Sequence, residues 1–176
     1  QEIKEKYDLP YKFDTNIDSV KIHENYSYLK PEEHCGDVVI IAGRILGLRK
    51  LGKVTFMHLQ DTNGKIQVFF SENDYKNYDD IKLLDMGDII GVEGAVFKTK
   101  TGEITIKASK MTFLTKSLRP LPEKYHGLQD TEIKYRQRYL DLIMNEDSKK
   151  IFVLRTKIIS AVREFFNSKG FMRLEE

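Results

Sequence analysis

Two stretches of alternating apolar and polar residues, joined by an Asn-Gly pair, constrain the fold of this chain more than any other feature. Val54 to Gln60 and Lys65 to Ser71 both alternate with a period of two, the period of a strand with one buried face. The residues between them are Asp61-Thr62-Asn63-Gly64, and Asn-Gly between alternating stretches is a strong signal for a β-hairpin. The sequence therefore predicts two adjacent antiparallel strands.

Three further stretches carry the β-branched and aliphatic residues that are typical of strands. Val38 to Leu48 predicts a long first strand, bent or bulged at its glycines, and Asp88 to Phe97 and Glu103 to Leu114 predict a fourth and a fifth. Between the third and fourth strands, Ser71 to Leu84 breaks the β pattern and predicts a helix. Because five strands with a helix at this place form the layout of an OB-fold barrel, we predict a mainly β domain of that type, which binds oligonucleotides on one face.

The chain divides into four predicted parts. They are an N-terminal arm with a short helix (residues 1–35), the barrel (36–116), a linker marked by two prolines (117–130) and a helical part (131–176). In the helical part, one helix is expected to begin at Asp130 or Thr131 and to run to about Met144, and a second to span about Asp147 to Ser168. The second has an apolar stripe spaced by three and four, formed by Ile151, Leu154, Ile158, Val162 and Phe165. With no strands of its own, this part is expected to be covered by something beyond it.

Composition excludes several classes of protein. The net charge is only +2, so any footprint for nucleic acid must be local rather than spread over the chain. Cys35 is the only cysteine, which rules out an internal disulfide, and no Cys/His spacing suits zinc. No apolar stretch approaches the roughly 20 residues of a membrane span, and the first residues lack an apolar signal core. We therefore expect a cytoplasmic protein that makes no contact with membranes.

Strand alternation also predicts which side chains face a ligand. A small barrel fills its interior with aliphatic side chains, which here are Met57, Leu59, Ile66, Val68 and Phe70. The outer face then carries Phe56, His58, Lys65, Gln67 and Phe69. Single-stranded bases stack on such aromatic rings, and polar neighbours read the base edges. Two alternatives stay open: another segment, such as residues 10–30, covers the two phenylalanines, or His58 is an ordinary surface histidine rather than a base reader.

Two basic loops border this face. One spans Leu48 to Lys53, and the other joins the fourth and fifth strands over Lys98 to Glu103. OB-folds grip oligonucleotides with these two loops, and lysines there contact phosphates without reading sequence. We predict such contacts for Lys53, Lys98 and Lys100, the alternative being that the loops are simply solvated.

Specific motifs occur in the barrel and after it. The barrel motifs are Ala42-Gly43-Arg44, Leu59-Gln60-Asp61, Lys65-Ile66-Gln67 and Gly87 to Gly94. The later motifs are Leu121 to Leu128 and Tyr135-Arg136-Gln137-Arg138-Tyr139-Leu140-Asp141-Leu142. Over roughly residues 36 to 172 these motifs resemble the class IIb aminoacyl-tRNA synthetases, and the last motif is similar to the lysyl branch in particular. After Met172, Arg173 and Glu176 depart from the family pattern.

The resemblance implies that the barrel binds an anticodon, and it assigns roles to single residues. Phe56 matches the aromatic that stacks on the central anticodon base, Gln67 the amide beside that base and Arg49 the neighbouring arginine. Glu103 matches a loop carboxylate that helps to read an adjacent anticodon base. Arg44 matches a motif position whose partner is either RNA or the protein itself.

The resemblance further implies a reaction in which ATP and lysine form lysyl-adenylate, after which the lysyl group passes to the tRNA 3′ end. Magnesium would neutralise the phosphates. The residues for this chemistry are expected beyond position 176, so this chain is expected to bind the anticodon of tRNA(Lys) but neither ATP nor Mg²⁺, and not to catalyse. The longer enzyme is expected to be a homodimer.

Three rival interpretations remain at this point. One is an aspartyl- or asparaginyl-tRNA synthetase, which shares the barrel. Another is a stand-alone OB module that binds single strands, and the last is a structural scaffold whose aromatics are all covered.

Overall fold

The computed structural model describes residues 9–122 and 130–172. Residues 1–8 of the predicted arm, residues 123–129 of the predicted linker and motif, and residues 173–176 lie outside the described residues. The chain forms two units that divide after Pro120. The described elements of the first unit are α1 (Ser19–Asn25), β1 (His34–Leu51), β2 (Val54–Gln60), β3 (Lys65–Ser71), α2 (Tyr78–Lys82), β4 (Ile89–Lys98) and β5 (Ile104–Thr115).

The five strands of the first unit close into a barrel in the order β1-β2-β3-β5-β4. Strand β1 is long enough to pair antiparallel with β4 along its first half and with β2 along its second half, with a bulge between Ile45 and Gly47. Strands β3 and β5 pair in parallel and complete the ring. The predicted OB-fold, with a helix between the third and fourth strands, is therefore confirmed.

The barrel interior is the one that alternation predicts. All five side chains assigned to the core are at most 1% exposed, namely Met57, Leu59, Ile66, Val68 and Phe70. Their neighbours on the same strands, among them Phe56, His58 and Gln67, are only half-buried. Because successive side chains of a strand point to opposite faces, burial of one set places the other set on the outside of the barrel.

The carboxylate of Asp61 stabilises the turn of the β2–β3 hairpin. Its Oδ1 accepts hydrogen bonds from the backbone N–H of Asn63 at 2.8 Å and of Gly64 at 2.7 Å. The same carboxylate accepts from the backbone N–H of Ser19 at 2.6 Å and from its hydroxyl at 2.8 Å. One acidic side chain therefore fixes the turn and docks the first residue of α1 against it.

The arm before α1 lies against β1 and β4. The backbone N–H of Asn16 donates to the carbonyl of Ile40. The side-chain Oδ1 of Asn16 accepts in turn from the backbone N–H of Ile40. The ring of Phe13 lies over Gly91, where a Cβ atom would overlap the ring. Glycine at this β4 position therefore allows the arm to pack closely against the sheet.

The helix predicted over Ser71 to Leu84 is wrong in its extent. Ser71 is the last residue of β3, and its carbonyl accepts from the backbone N–H of Asp74 and Tyr75, which forms a turn. Only Tyr78–Lys82 is helical. Asn and Asp side chains compete for backbone hydrogen bonds and favour turns, and the segment before Tyr78 is rich in both.

A cluster of one lysine and two carboxylates joins the end of β5 to the loop before β4. Lys116 Nζ lies 2.6 Å from a carboxylate oxygen of Asp85 and 2.8 Å from one of the fully buried Asp88. Asp88 also accepts from the backbone N–H of Ser117 at 2.8 Å. Burial by itself lowers the pKa of Lys116, but its bonds to the two carboxylates outweigh this and raise that pKa above its ordinary value.

The described part of the second unit contains α3 (Thr131–Arg136), α4 (Arg138–Met144) and α5 (Glu146–Ser168). The single helix predicted up to Met144 is wrong, because Gln137 has non-helical dihedral angles and separates α3 from α4. Asp130, one of the two predicted caps, accepts from the backbone N–H of Glu132 and Ile133. Helix α5 ends at Ser168, as predicted, and begins one residue earlier than predicted.

Among residues 130–172, Asp141 has the most buried side chain, at 1% exposed. It accepts hydrogen bonds from Arg138, Asn145 and Ser148. Burial alone raises the pKa of Asp141, but these three donors outweigh it and hold that pKa below its ordinary value. The carboxylate thereby links the start of α4 to the start of α5.

The side chains of the apolar stripe on α5 are exposed in the second unit. Its five predicted members are between 50% and 66% exposed, namely Ile151, Leu154, Ile158, Val162 and Phe165. A contiguous apolar helix face of this kind marks a surface that packs against another element.

Candidate nucleic-acid interface

A cavity of about 400 Å³ lies on the outer face of the barrel, between β1, β2, β3 and the β4–β5 loop. Five of the side chains predicted from the sequence line it, namely Arg49, Phe56, His58, Gln67 and Glu103. The strand register explains why four of these side chains lie together. Arg49 pairs with Phe56 across β1 and β2, and His58 pairs with Gln67 across β2 and β3. Strand alternation and pairing therefore bring Arg49, Phe56, His58 and Gln67 onto one surface.

Gln67, Glu103 and Thr105 form a hydrogen-bonded network, and Gln67 and Glu103 of this network line the cavity. Gln67 Nε2 donates to Glu103 Oε2 at 2.6 Å, and Thr105 Oγ1 donates to Gln67 Oε1 at 3.0 Å. His58 Nε2 lies 3.5 Å from Glu103 Oε1. The network offers N–H donors and carboxylate and amide acceptors, the groups that recognise the edges of unpaired bases.

An aromatic strip runs along the same outer face. The ring centroids of Phe56 and Phe69 are 5.0 Å apart, and those of Phe69 and Phe97 are 6.0 Å apart. His34 stacks on Phe97 with centroids 5.1 Å apart. The rings that pack on Phe69 therefore belong to strands of the barrel and not to residues 10–30. Phe56 lies at the end of the strip, and its ring lines the cavity.

Two of the predicted RNA contacts have partners within the protein. Arg44 Nη1 donates to the carbonyl of Gly87 at 2.8 Å. Lys98 Nζ donates to the carbonyls of Ser27 and Leu29, at 3.3 Å and 2.8 Å. Neither side chain lines the cavity. Each joins loops of the barrel unit, and their contacts with RNA stay predictions.

The other two predicted phosphate contacts are on the surface near carboxylates. Lys53 Nζ lies 3.8 Å from Glu72, and Lys100 Nζ lies 3.3 Å from Glu32. Both lysine side chains are more than 80% exposed. Surface ion pairs of this kind contribute little stability, so a phosphate could replace either carboxylate at small cost.

The structure adds Thr105 to the site, a residue that the sequence interpretation missed. Thr105 is fully buried, and it lies beside Gln67 because β3 and β5 pair in parallel with these two residues in register. Its position on an alternating strand two residues after Glu103 is a weak signal. The pairing of β3 with β5 joins residues 38 positions apart, and no local pattern reports it.

Two features are absent from the described part of the chain, a metal-binding cluster and a membrane-spanning helix. Within residues 9–122 and 130–172, no cluster of three or more His, Cys, Asp or Glu side chains is arranged to hold a metal ion. In the same described part of the chain, no helix combines the length and the apolar character needed to cross a membrane.

Two family models match the chain. Residues 39–114 match the family described as an OB-fold nucleic acid binding domain. Residues 130–176 match the family described as class II tRNA synthetases (D, K and N). The first match covers the barrel and the second covers the helical unit.

Similar curated proteins carry one name. A lysine–tRNA ligase of Histophilus somni (strain 2336) is 48% identical, over 95% of this chain and 34% of that protein. One of Pasteurella multocida (strain Pm70) is 49% identical, over 88% and 32%. One of Staphylococcus aureus (strain N315) is 47% identical, over 99% and 38%. The chain spans about a third of the length of these relatives.

Proposed function

We propose that this chain, which belongs to the class II tRNA synthetases of the D, K and N group, binds the anticodon loop of a tRNA that accepts lysine. The observation that carries the proposal is the cavity in which Arg49, Phe56, His58, Gln67 and Glu103 meet. The name shared by the similar curated proteins supports lysine over aspartate or asparagine.

Each side chain has a physical role in the proposal. The ring of Phe56 stacks on the central anticodon base, and the amide of Gln67 bonds to the edge of that base. Arg49 supplies the positive charge beside it. The carboxylate of Glu103 would repel phosphate, so its use is to accept an N–H of an adjacent base, such as N3–H of uracil. His58 bonds to that carboxylate or to the base.

For the longer protein we propose the reaction of a lysine–tRNA ligase. ATP would activate lysine as lysyl-adenylate, Mg²⁺ would neutralise the phosphates, and the lysyl group would pass to the tRNA. The class II synthetase match and the names of the relatives support the use of ATP. That the longer protein is a homodimer stays a prediction. A cytoplasmic location remains a prediction.

The proposal is tested with two RNA hairpins that carry the anticodon loop of a lysine tRNA (UUU) or of an aspartate tRNA (GUC). Fluorescence anisotropy at several salt concentrations gives the affinity of the chain for each hairpin. We expect tighter binding of the lysine hairpin and an affinity that falls with salt, since part of the binding energy comes from phosphate contacts. Tighter binding of the aspartate hairpin would overturn the lysine assignment. Because UUU and GUC share their central uracil, equal binding of both would mean that the flanking anticodon bases are not read.

Replacing Gln67 by alanine should relax the preference at the central base. The variant loses the amide donor and acceptor but keeps the ring of Phe56, so preference for a central uracil over cytosine should fall by roughly 3- to 10-fold. The same anisotropy assay, with UUU and UCU hairpins, measures it. Gln60→Ala is a matched control, because Gln60 lies on the same strand-alternation face but pairs with Arg44 and Lys65, outside the cavity. An unchanged preference in Gln67→Ala would remove Gln67 from the proposed site.

A further inference from the structure

The β4–β5 loop, which ends with Glu103 at the cavity, is closed by two backbone hydrogen bonds. The N–H of Thr99 donates to the carbonyl of Glu103 at 2.9 Å, and the N–H of Gly102 donates to the carbonyl of Thr99 at 2.9 Å. Gly102 has a φ of +87°, in the left-handed region. A glycine of this conformation just before the closing residue is typical of a three-residue hairpin loop.

This closure leaves the N–H of Glu103 to a side chain, because the carbonyl of Thr99 already accepts from Gly102. The N–H of Glu103 donates to Thr99 Oγ1 at 3.0 Å. Since an N–H can only donate, the hydroxyl oxygen must accept here. Oγ1 also lies 3.2 Å from the Glu103 carbonyl and 3.0 Å from Thr101 Oγ1. Whichever of these two accepts the hydroxyl hydrogen, a lone pair of Oγ1 remains for the N–H of Glu103.

The bond with Thr99 differs from the contacts of the Glu103 carboxylate. The carboxylate lies 2.6 Å from Gln67 Nε2 and 3.5 Å from His58 Nε2. Both of these side chains are proposed to bind RNA, so their contacts with the carboxylate change when a base arrives. The bond with Thr99 uses the backbone of Glu103 and leaves its carboxylate free to accept from a base. It therefore fixes the main chain from which the carboxylate projects, with or without RNA.

We propose that Thr99 is a positioning residue that holds Glu103 where its carboxylate accepts the N3–H of a uracil next to the central anticodon base. The proposal rests on the anticodon-binding function proposed above. Threonine hydroxyls commonly bond to backbone groups in turns, and in this turn the anchored residue is the one that carries a base-reading carboxylate. Thr99 lines the cavity too, so the test must separate an action through Glu103 from a direct contact with RNA.

Thr99→Val removes the acceptor and keeps the shape of the side chain. The two backbone bonds that close the loop remain, so this variant should fold. Affinities for fluorescent UUU, CUU and UUC hairpins are measured by anisotropy, because uracil offers an N3–H where cytosine has a bare nitrogen. Glu103→Ala identifies the flanking position that the carboxylate reads, which is the position where this variant lowers the preference for uracil.

At that position we expect Thr99→Val to lower the preference for uracil over cytosine by about 3- to 10-fold, the usual effect of one hydrogen bond. Thr99→Ser keeps the hydroxyl and should keep most of the preference. When Thr99→Val is added to Glu103→Ala, it should lower the preference no further, because the group that it positions is gone. If Thr99→Val does not fold, as judged by circular dichroism, Thr99→Ala removes the same hydroxyl and replaces it.

Thr101→Val is the matched control. Thr101 belongs to the same loop and lines the same cavity, but its hydroxyl lies 3.0 Å from that of Thr99. This variant should keep the preference for uracil at the flanking position.

Hydrogen exchange measures the bond itself without RNA. The amide of Glu103 is followed by NMR in the isotope-labelled chain. Its exchange should become about 3- to 10-fold faster in Thr99→Val, which removes its acceptor, and should stay close to that of the unchanged chain in Thr99→Ser and Thr101→Val.

The outcomes separate the two proposals. Unchanged amide exchange or an unchanged flanking preference in Thr99→Val would overturn the positioning role and leave anticodon binding intact. An equal loss of preference in Thr101→Val, or a further loss when Thr99→Val is added to Glu103→Ala, would overturn it as well. If the unchanged chain binds none of the hairpins, or if Glu103→Ala lowers the preference at neither flanking position, the function proposed for Glu103 fails and the role of Thr99 fails with it.

Discussion

Replacing Phe56 by alanine should weaken binding of the UUU hairpin by about 1–3 kcal/mol, the usual effect of removing one ring that stacks on a base. The ring of Phe56 lines the cavity and lies 5.0 Å from that of Phe69, which supports it from one side. Alanine removes the stacking surface but leaves the amide of Gln67 and the carboxylate of Glu103 in place. The affinity should therefore fall while part of the base preference remains, as measured by anisotropy titrations at fixed salt.

Two variants distinguish the loss of base stacking from the loss of apolar contact and from the removal of an aromatic ring elsewhere on the surface. Phe56→Leu keeps an apolar side chain without a ring, so it should bind nearly as weakly as Phe56→Ala if stacking is the contribution. Tyr11→Ala removes a fully exposed ring from the arm and should leave the affinity unchanged. Wild-type affinity in Phe56→Ala would support the scaffold interpretation, in which the aromatic face binds no base.

Replacing Phe70 by alanine should lower the free energy of unfolding of the barrel by about 3–5 kcal/mol, the range observed for deleting a buried phenylalanine ring. Phe70 is fully buried and packs against the ring of Tyr75, with centroids 5.4 Å apart. The neighbours can collapse only partly into the space left behind. Small domains have only about 5–15 kcal/mol of stability in total, so this variant should unfold at a much lower urea concentration.

Phe69→Ala is the comparison for that prediction. It removes the same side chain from the adjacent position of β3, but Phe69 points to the outer face and is only half-buried. Its loss of stability, from urea unfolding followed by circular dichroism, should be clearly smaller than that of Phe70→Ala. Equal losses would mean that the outer aromatic strip supports the fold as strongly as the interior does.

The hairpin and the inner face could be predicted because their signals are local. Asn63-Gly64 and the flanking alternation reside in one short stretch, and burial of alternate side chains needs only the period of a strand. The extent of the helix before β4 was predicted wrongly. Asn and Asp side chains in Ser71 to Leu84 compete with the helix for backbone hydrogen bonds, and the break in the β pattern does not show where that competition ends the turn and the helix begins.

The site was predicted in part for the same reason. Alternation places Phe56, His58 and Gln67 on one outer face, and the resemblance to a family gives the first and last of them roles. Glu103 was placed near an anticodon base by resemblance alone, since it lies on a loop with no periodicity. Its bond to Gln67 depends on how the β4–β5 loop ends, which no pattern in the sequence describes.

The sequence by itself determined the five strands, the hairpin turn and which side chains of β2 and β3 face outward, because each follows from the chemistry of neighbouring residues. Only the tertiary structure decided that Thr105 bonds to Gln67, and that Arg44 and Lys98 bond to backbone carbonyls instead of facing the cavity. These contacts join residues 38 to 71 positions apart. The first depends on the parallel pairing of β3 with β5, which closes the barrel, and the others depend on how β1 and β4 lie against loops that are distant in sequence. Such contacts are a property of the whole fold rather than of any one segment.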